Sequence, residues 1–307
     1  MTQHPWPAIA LARACNGPAR IPFVLMDEQG PVLGSVALAH LGALRAWPDA
    51  FELLASADGA PRALVLRLAA GERDARLAQI HARLHAEGLV VGWRDEPYPL
   101  RDRTGGAHGT LERAASRFWG MLTLGVHCNG YVADASGRPT HLWIARRSTS
   151  KPTDPGRLDN LIGGGVPAGQ SPREAVIREG WEEAGLEPHQ MAGLVTGGLI
   201  DLECDIPEGR QHERLHVFDL ELPAGLVPSN KDGEVAEHRL MTIAEALGRA
   251  AAGELTTDAA LATLDFAIRR RLLEPLSSDR ESTGAVAWAA VQQDAFEALR
   301  PGGTRPP

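Results

Sequence analysis

Residues 163–186 read GGGVPAGQSPREAVIREGWEEAGL and place three glutamates beside a glycine-rich turn. Glu179, Glu182 and Glu183 stand at positions i, i+3 and i+4, so their side chains lie on one side of a helix. A solvated acidic face is one interpretation of this pattern. Clustered carboxylates beside a bare backbone turn also suit a hard divalent cation, which prefers oxygen ligands and can hold phosphate. We therefore expect a metal-dependent enzyme that acts on a phosphate compound.

The sequence contains signals for both ends of this helix. Ser171 is a good N-cap, Pro172 fits the first helical position, and Glu174 completes a capping box. Gly185 stands where the helix is expected to end. On the face opposite the glutamates we expect an apolar stripe, which consists of Ile177, Trp181 and Ala184.

This stretch resembles the Nudix box, G-x5-E-x7-R-E-U-x-E-E-x-G-U, in which U is an apolar residue. The core that matches the pattern begins at Arg178-Glu179 and ends at Gly185-Leu186. Two positions depart from it, because Gln170 replaces the first glutamate and Gly180 replaces the apolar residue after Arg-Glu. A glycine inside a helix costs about 1 kcal/mol relative to alanine, so we expect a packing reason for Gly180.

The resemblance implies a set of site residues and a cofactor. It makes Glu179, Glu182 and Glu183 ligands of Mg²⁺, for which Mn²⁺ is a substitute, and the carbonyl of Gly163 a further ligand. Arg178 is expected to hold a neighbouring carboxylate in place. In many members of the family a further carboxylate serves as ligand or base, and Glu234 occupies that place here. The resemblance does not assign the general base, because the glutamate that takes the proton varies across the family.

Four polar residues outside the box are candidates for contacts with the substrate. Lys151 and Arg157 lie in the loop before the glycine turn, where they would contact phosphate or remain solvated charges. His127 and Asn129 share one face of a strand by its period of two. Polar groups on a central strand need partners, and these are either a ligand or other core groups.

Composition excludes several classes of protein. A net charge of −8 argues against a general nucleic-acid binder, and no apolar run is long enough to span a membrane. The first residues lack the basic region of a signal peptide. The three scattered cysteines indicate neither a disulfide framework nor a zinc site. We expect a cytoplasmic enzyme with a small-molecule diphosphate as its partner, and its oligomeric state is left open.

The chain is long enough for two domains, and we expect a small α/β N-terminal domain over residues 1–120. Its predicted elements are strands at Ile21–Met26, Gly34–Leu38 and Arg62–Leu68 and a helix at Glu72–Glu87. The cluster Trp93-Arg94-Asp95-Glu96 with Tyr98 is interpreted as a packed strand end. The resemblance implies a Nudix α/β/α sandwich with a mixed sheet over residues 121–276. Residues 277–307 are predicted to contain a C-terminal helix, 285–299, and a disordered tail.

Further segments resemble a Nudix subfamily that carries a dedicated N-terminal domain. They are GVHCNGYV (125–132), LWIARRS (142–148), KPTDPGRLDNLIGGG (151–165) and DGEVAEHRLM (232–241). Relatives of that subfamily include the module that precedes thiamine pyrophosphokinase in some fungal proteins. The resemblance implies hydrolysis of damaged or oxidised thiamine diphosphate to a monophosphate and phosphate.

Three other functions remain open. One is a Nudix hydrolase of a nucleoside-diphosphate-linked substrate such as ADP-ribose. Another is an enzyme like isopentenyl diphosphate isomerase, which would need a catalytic cysteine near the metal, and Cys128 is a poor candidate for it. The third is a non-catalytic diphosphate sensor, against which the intact carboxylates argue.

Overall fold

The computed structural model describes residues 6–151, 153–273 and 294–301. A short helix, α1 (Pro7–Leu11), precedes a four-stranded sheet with strand order β2-β1-β4-β3, in which β1 and β4 are parallel. Its strands are β1 (Arg20–Leu25), β2 (Val32–Ala37), β3 (Phe51–Ala55) and β4 (Pro61–Leu66). The three predicted strands correspond to β1, β2 and β4, whereas β3 was not predicted.

Helices and a hairpin complete the N-terminal region. They are a 3-10 helix (Leu38–His40), α2 (Leu41–Leu44), α3 (Ala70–Ala86), β5 (Pro97–Arg101), β6 (Ala107–Glu112) and α4 (Arg113–Phe118). The predicted helix at Glu72–Glu87 is α3. Trp119 lies in the centre of this core, where its ring stacks on Phe23 at 4.3 Å. Its indole Nε1 donates a hydrogen bond of 2.8 Å to Nε2 of the buried His81.

The rest of the chain forms a larger mixed sheet with strand order β11-β12-β7-β8-β13. Strand β7 is parallel to β12 and antiparallel to β8, while β10 pairs with β7 and β9 pairs with β8. The strands are β7 (Leu122–Ala133), β8 (Pro139–Arg147), β9 (Leu158–Asn160), β10 (Ile162–Gly165), β11 (Val195–Ile206), β12 (Gly209–Glu221) and β13 (Val235–Thr242).

Three helices cover the two faces of this sheet: α5 (Pro172–Ala184), α6 (Ile243–Ala251) and α7 (Thr257–Arg269). Val126 and Cys128 of β7 pack with residues of α5 in one apolar cluster. Tyr131 of the same strand packs with residues of α6 and α7 in another. The expected α/β/α sandwich with a mixed sheet, preceded by a separate α/β region, is therefore confirmed.

Both ends of the described chain contribute to the core around α7. Trp6 and Ile9 from the start of the chain lie in the same apolar cluster as Phe296 and Leu299, and Arg13 Nη2 donates a 3.0 Å hydrogen bond to the carbonyl of Ala298. Residues 294–297 are helical. The remainder of the predicted helix 285–299 and most of the predicted tail lie outside the described residues.

Candidate active site

The helix that carries the glutamates begins and ends where the sequence predicts. The Ser171 hydroxyl accepts a hydrogen bond from the backbone N–H of Glu174, and the Glu174 side chain accepts one from the backbone N–H of Ser171, so the capping box is complete. Pro172 opens the helix, and Gly185 ends it in the left-handed conformation with a φ of 66°. This conformation favours glycine because a Cβ atom would be strained there.

The face that this helix buries differs from the prediction. Trp181 is 44% exposed, and Lys231 Nζ lies 5.6 Å from the centre of its ring. The buried face contains Gly180 and Glu183 in addition to the expected Ala184. A Cβ atom at position 180 would lie 2.5 Å from Met191 Sδ, which explains the glycine in place of an apolar residue. The predicted apolar stripe is therefore wrong at Trp181, whereas Ala184 is buried and Ile177 packs against the same apolar cluster. The interpretation as a fully solvated acidic face is wrong, because Glu183 is buried.

The glycine turn of the sequence is the edge strand β10, which pairs with β7. Gly163 lies opposite His127, and Gly165 lies opposite Gly125. A Cβ atom at position 164 would collide with the Glu179 carboxylate. The glycine thus lets this carboxylate approach the backbone of the strand.

Glu183 is at the centre of the site and is only 4% exposed. Its Oε2 accepts a hydrogen bond of 2.8 Å from the Gly163 backbone N–H. Lys151 Nζ lies 3.1 Å from Glu183 Oε1 and 2.5 Å from Glu234 Oε2. The structure therefore brings together four of the residues that the sequence proposed, although Lys151, Gly163, Glu183 and Glu234 come from two loops, a strand and a helix.

Arg178 links the other two glutamates of the helix. Its Nη1 donates to Glu182 Oε2 at 2.6 Å, and its Nη2 donates to Glu179 Oε1 at 2.8 Å. Its Nε lies 3.4 Å from Gln170 Oε1. The residue that replaces the first glutamate of the box thus offers an acceptor to the arginine that holds the carboxylates.

The electrostatics of the site are dominated by buried carboxylates. Burial raises the pKa of Glu183 to about 8, with Lys151 opposing and Glu179 adding to the shift. Burial likewise raises the pKa of Glu179 to about 7, with Arg178 opposing and Glu182 adding to the shift. Without a bound cation both carboxyl groups are therefore biased toward the protonated form, because their present partners offset only part of the cost of burying a negative charge.

The chemistry of these donors fits a divalent cation. Buried carboxylates that repel one another are stabilised by a positive ion, and oxygen is the donor that Mg²⁺ prefers. In this conformation the carboxylates face Arg178 and Lys151 instead. Within the described ranges, no group of three or more Asp, Glu, His or Cys side chains is arranged to hold a metal. Glu179, Glu182 and Glu183 would hold the ion after turning away from these cations.

Two sequence candidates make contacts within the protein instead. Arg157 Nη2 donates to the backbone carbonyls of Gly253, at 2.7 Å, and Leu255. Asn129 donates to Asp219 and to the Ala262 carbonyl. Both residues therefore stabilise the loop and core next to α7.

His127 lies closer to the glycine strand than Asn129. A Cβ atom at position 163 would lie 3.0 Å from the imidazole Cε1 of His127. Its Nδ1 lies 2.9 Å from Asn160 Oδ1, and within the described residues its Nε2 makes no hydrogen bond. His127 therefore remains a candidate for a substrate contact.

The structure adds two residues that the sequence did not single out for the site, Tyr98 and Arg113. Both come from the N-terminal region and lie against Gly165 of β10. The cluster that ends at Tyr98 is therefore more than a packed strand end. Nothing in the sequence predicts that this cluster lies near the glycine strand, because the contact joins two segments that are distant along the chain.

The structure argues against an isomerase-like function that uses Cys128. Cys128 is fully buried, and burial raises the pKa of its thiol, so it is not the accessible cysteine that an isomerase would need. No helix in the described part of the chain combines the length and the apolarity needed to cross a bilayer.

Comparisons with known proteins agree with this site. The family described as "NUDIX domain" matches residues 124–261, and "Domain of unknown function (DUF4743)" matches residues 10–123. Nudix hydrolase 24, chloroplastic, of Arabidopsis thaliana is 33% identical over 265 residues, which are 84% of this chain and 69% of that protein. Nudix hydrolase 20, chloroplastic, of the same plant is 31% identical over 267 residues, which are 84% of this chain and 70% of that protein.

Among solved structures, a crystal structure from Deinococcus radiodurans shares 25% identity with a TM-score of 0.43 and covers 56% of this chain and 99% of that one. Members of the Nudix family generally use divalent metal ions. Because two curated relatives match over most of their own length, and because the Nudix model covers the sheet and the glutamate helix, this chain belongs to the Nudix hydrolase family and is a pyrophosphatase.

Proposed function

We propose that this enzyme uses Mg²⁺ to hydrolyse the diphosphate of thiamine diphosphate derivatives, releasing a thiamine-type monophosphate and orthophosphate. The observation that supports the reaction is the arrangement of Glu179, Glu182 and Glu183 against the glycine strand and Lys151. The support for the substrate is the resemblance of the segments around this site to the subfamily with the thiamine-linked module. The intact carboxylates favour an enzyme over a diphosphate sensor.

Each residue of the site has a role in this reaction. A divalent cation, when bound, neutralises charge on the diphosphate and lowers the pKa of a water molecule. The Gly163 N–H fixes one oxygen of Glu183, and Arg178 orients Glu179 and Glu182. Lys151, released from Glu183 and Glu234, neutralises a phosphate oxygen. Glu234 is then free to serve as a further carboxylate.

The organic half of the substrate is expected next to Gly163 of the glycine strand. His127 lies against Gly163 there, together with Asp159, whose Oδ1 would be 3.3 Å from a Cβ atom at position 163. A carboxylate and an imidazole offer acceptors to the amino group of an aminopyrimidine ring. Because the diphosphate is common to all candidate substrates, discrimination among them must come from this half of the pocket.

A substrate screen tests this proposal. The purified protein with Mg²⁺ should release orthophosphate and a monophosphate from oxidised or oxo-substituted thiamine diphosphates. It should act more slowly on intact thiamine diphosphate, which carries a fixed thiazolium charge. ADP-ribose or a nucleoside triphosphate giving the higher kcat/KM would overturn the substrate assignment and leave the Nudix chemistry intact.

A variant of His127 tests the location of the pocket. His127→Ala should lower the preference for thiamine derivatives over ADP-ribose more than it lowers the affinity for Mg²⁺. His189→Ala is the matched control, because His189 is exposed in the turn after α5. An unchanged substrate preference in His127→Ala would exclude His127 from the pocket.

A further inference from the structure

The hairpin β5–β6 of the N-terminal region is attached directly to the loop between the glycine strand and α5. The Pro97 carbonyl at the start of β5 accepts a 2.8 Å hydrogen bond from the backbone N–H of Ala168, which lies between the glycine strand and α5. The next residue of the hairpin, Tyr98, points its hydroxyl at Gly165, where a Cβ atom would overlap with it. The N-terminal region thus places a side chain against the strand that carries the site.

The hydroxyl of Tyr98 is buried without a hydrogen-bond partner. Tyr98 is 3% exposed, and among the described residues none makes a hydrogen bond to its Oη. Buried polar groups are nearly always hydrogen-bonded, and an exception calls for an explanation such as a missing ligand. Burial raises the pKa of Tyr98, so the phenol keeps its proton at neutral pH and is available as a donor.

Arg113 adds positive charge at the same place. Its guanidinium lies over the Tyr98 ring, 5.2 Å from the centroid, and its Nη2 would lie 3.4 Å from a Cβ atom at Gly165. Nη1 donates to Glu96 Oε2 at 2.8 Å. Within the described part of the chain its other N–H groups make no hydrogen bond. Arg113 is also close enough to oppose the rise in the pKa of Glu179.

Tyr98 and Arg113 line one cavity at the junction between the N-terminal region and the Nudix sheet. The sheet contributes Thr123 and Glu213, and the basic side chains of Arg117 and Arg210 complete the wall. The three arginines of this wall also pair with Glu96, Glu208 and Asp205. Arg113, whose Nη2 faces Gly165, is therefore the donor best placed for an anionic group.

We propose that Tyr98 and Arg113 bind an oxygen of the substrate's diphosphate, so that the N-terminal region completes the active site. A phenol O–H and a guanidinium are both donors, and a phosphate oxygen accepts from both. This inference rests on the proposed diphosphate hydrolysis. It does not depend on the organic half of the substrate.

Tyr98→Phe is the decisive variant because it removes only the hydroxyl. The free protein should be no less stable, since the hydroxyl has no partner to lose, and the Tm should stay equal or rise. We expect kcat/KM to fall about tenfold on the best substrate found in the screen. The Kd for methylenediphosphonate, whose P–C–P bridge resists hydrolysis, should rise about tenfold in the presence of Mg²⁺, as measured by calorimetry.

Tyr131→Phe is the matched control, because the other tyrosine of the chain has partners for its hydroxyl. Its Oη lies 3.4 Å from Glu221 Oε2 and 3.3 Å from Arg270 Nη2. This variant should lose stability and keep both kcat/KM and methylenediphosphonate affinity. Tyr98→Phe with unchanged kcat/KM and unchanged affinity would overturn the proposal.

A pair of variants separates binding by Arg113 from its ion pair with Glu96. Arg113→Gln should weaken methylenediphosphonate binding at least tenfold, whereas Glu96→Gln should change it less than threefold. Equal losses in the two variants would show that Arg113 only anchors the hairpin. If the wild type prefers ADP-ribose, the thiamine assignment fails, while a defect of Tyr98→Phe on ADP-ribose still supports this inference.

Discussion

The molecule contains two buried acidic networks that are compensated very differently. Next to α7, Asp219 and Asp265 are fully buried, and Arg269 donates to both of them. Two of its nitrogens bind Asp219 at 2.6 and 2.9 Å, and Arg300 lies 2.7 Å from Asp265. On α5, by contrast, Glu183 has one lysine at 3.1 Å, which it shares with Glu234.

The type of cation that pairs with the carboxylates distinguishes the network near α7 from the network on α5. Planar arginines match carboxylates with two parallel hydrogen bonds, a geometry that fixes both partners. Lysine is a point charge on a flexible chain and can move away from its carboxylate. The α7 network is therefore expected to serve stability and the α5 network to serve ligand binding.

The largest effect is expected from removing charge in the α5 network. Glu183→Gln keeps an acceptor for the Gly163 N–H but removes a charged metal ligand. Activity should fall about a thousandfold, equivalent to about 4 kcal/mol in the activation barrier. The Tm without metal should stay equal or rise, because repulsion among the neighbouring carboxylates of the helix is relieved. Glu182→Gln is expected to behave in the same way, and full activity in both variants would refute the metal assignment.

The α7 network should respond in the opposite manner. Asp219→Asn leaves Arg269 facing an amide, and breaking a buried ion pair typically costs about 3–5 kcal/mol. We expect the free energy of unfolding in urea to fall by about 3 kcal/mol, while the Mg²⁺ dependence of the folded variant stays unchanged. A loss below about 1 kcal/mol would show that this network contributes little to stability.

The core of the N-terminal region contains a buried polar group that is neutral, the imidazole of His81. Burial lowers the pKa of His81 to about 3 from its usual 6.5, so the unfolded chain takes up the proton first as the pH falls. The contribution of the neutral His81 to the free energy of unfolding is fully present above pH 6.5. It is lost as the pH falls toward 3, by about 1.4 kcal/mol per pH unit. Stability should thus fall by about 2–3 kcal/mol between pH 6.5 and 4.5.

A variant without this titration tests the assignment. His81→Gln offers Trp119 Nε1 an acceptor and should show a flatter dependence of unfolding free energy on pH. His189→Gln, at an exposed position, is the control and should follow the wild type. Parallel curves for His81→Gln and the wild type would contradict the buried, neutral histidine.

The smallest effect is expected at the departure from the Nudix box. Gln170 already offers an oxygen to Arg178 at 3.4 Å, so Gln170→Glu should change turnover by less than about tenfold, or 1.4 kcal/mol. A rise of several hundredfold in turnover would show that the natural sequence is a weakened enzyme. That outcome would revive the sensor hypothesis.

Local signals predicted the fold and part of the site. The capping box, Pro172 and Gly185 were sufficient to place α5, because helix ends depend on a few neighbouring residues. Lys151 and Glu234, which the sequence analysis named as candidates for the site, lie beside Glu183 in the structure, and their roles in binding and catalysis stay predictions. The ion pairs that Lys151 forms with Glu183 and with Glu234 are seen only in the structure.

Non-local packing limited the other predictions. The burial of Glu183 depends on Gly163 and Lys151, which approach it only in the folded chain, so the helix periodicity could not predict that Glu183 is buried while Trp181 is exposed. Arg157 was misjudged for a similar reason, since its partners lie in the loop before α7. The approach of Tyr98 to Gly165 could not be predicted from the sequence, because it depends on where the folded chain places the hairpin β5–β6.

The packing of α1 affects how the chain can be divided. Trp6 is fully buried in the core around α7, and the Ala12 carbonyl accepts a hydrogen bond from the Glu203 backbone N–H in β11. A fragment that starts at residue 121 would therefore lack part of its own interior and leave an apolar groove on α7. A Nudix-domain fragment meant for separate expression should carry residues 6–12 along with residues 121–301, joined across the excised N-terminal region. It would fold without Tyr98 and Arg113 and therefore without the diphosphate contacts proposed for them.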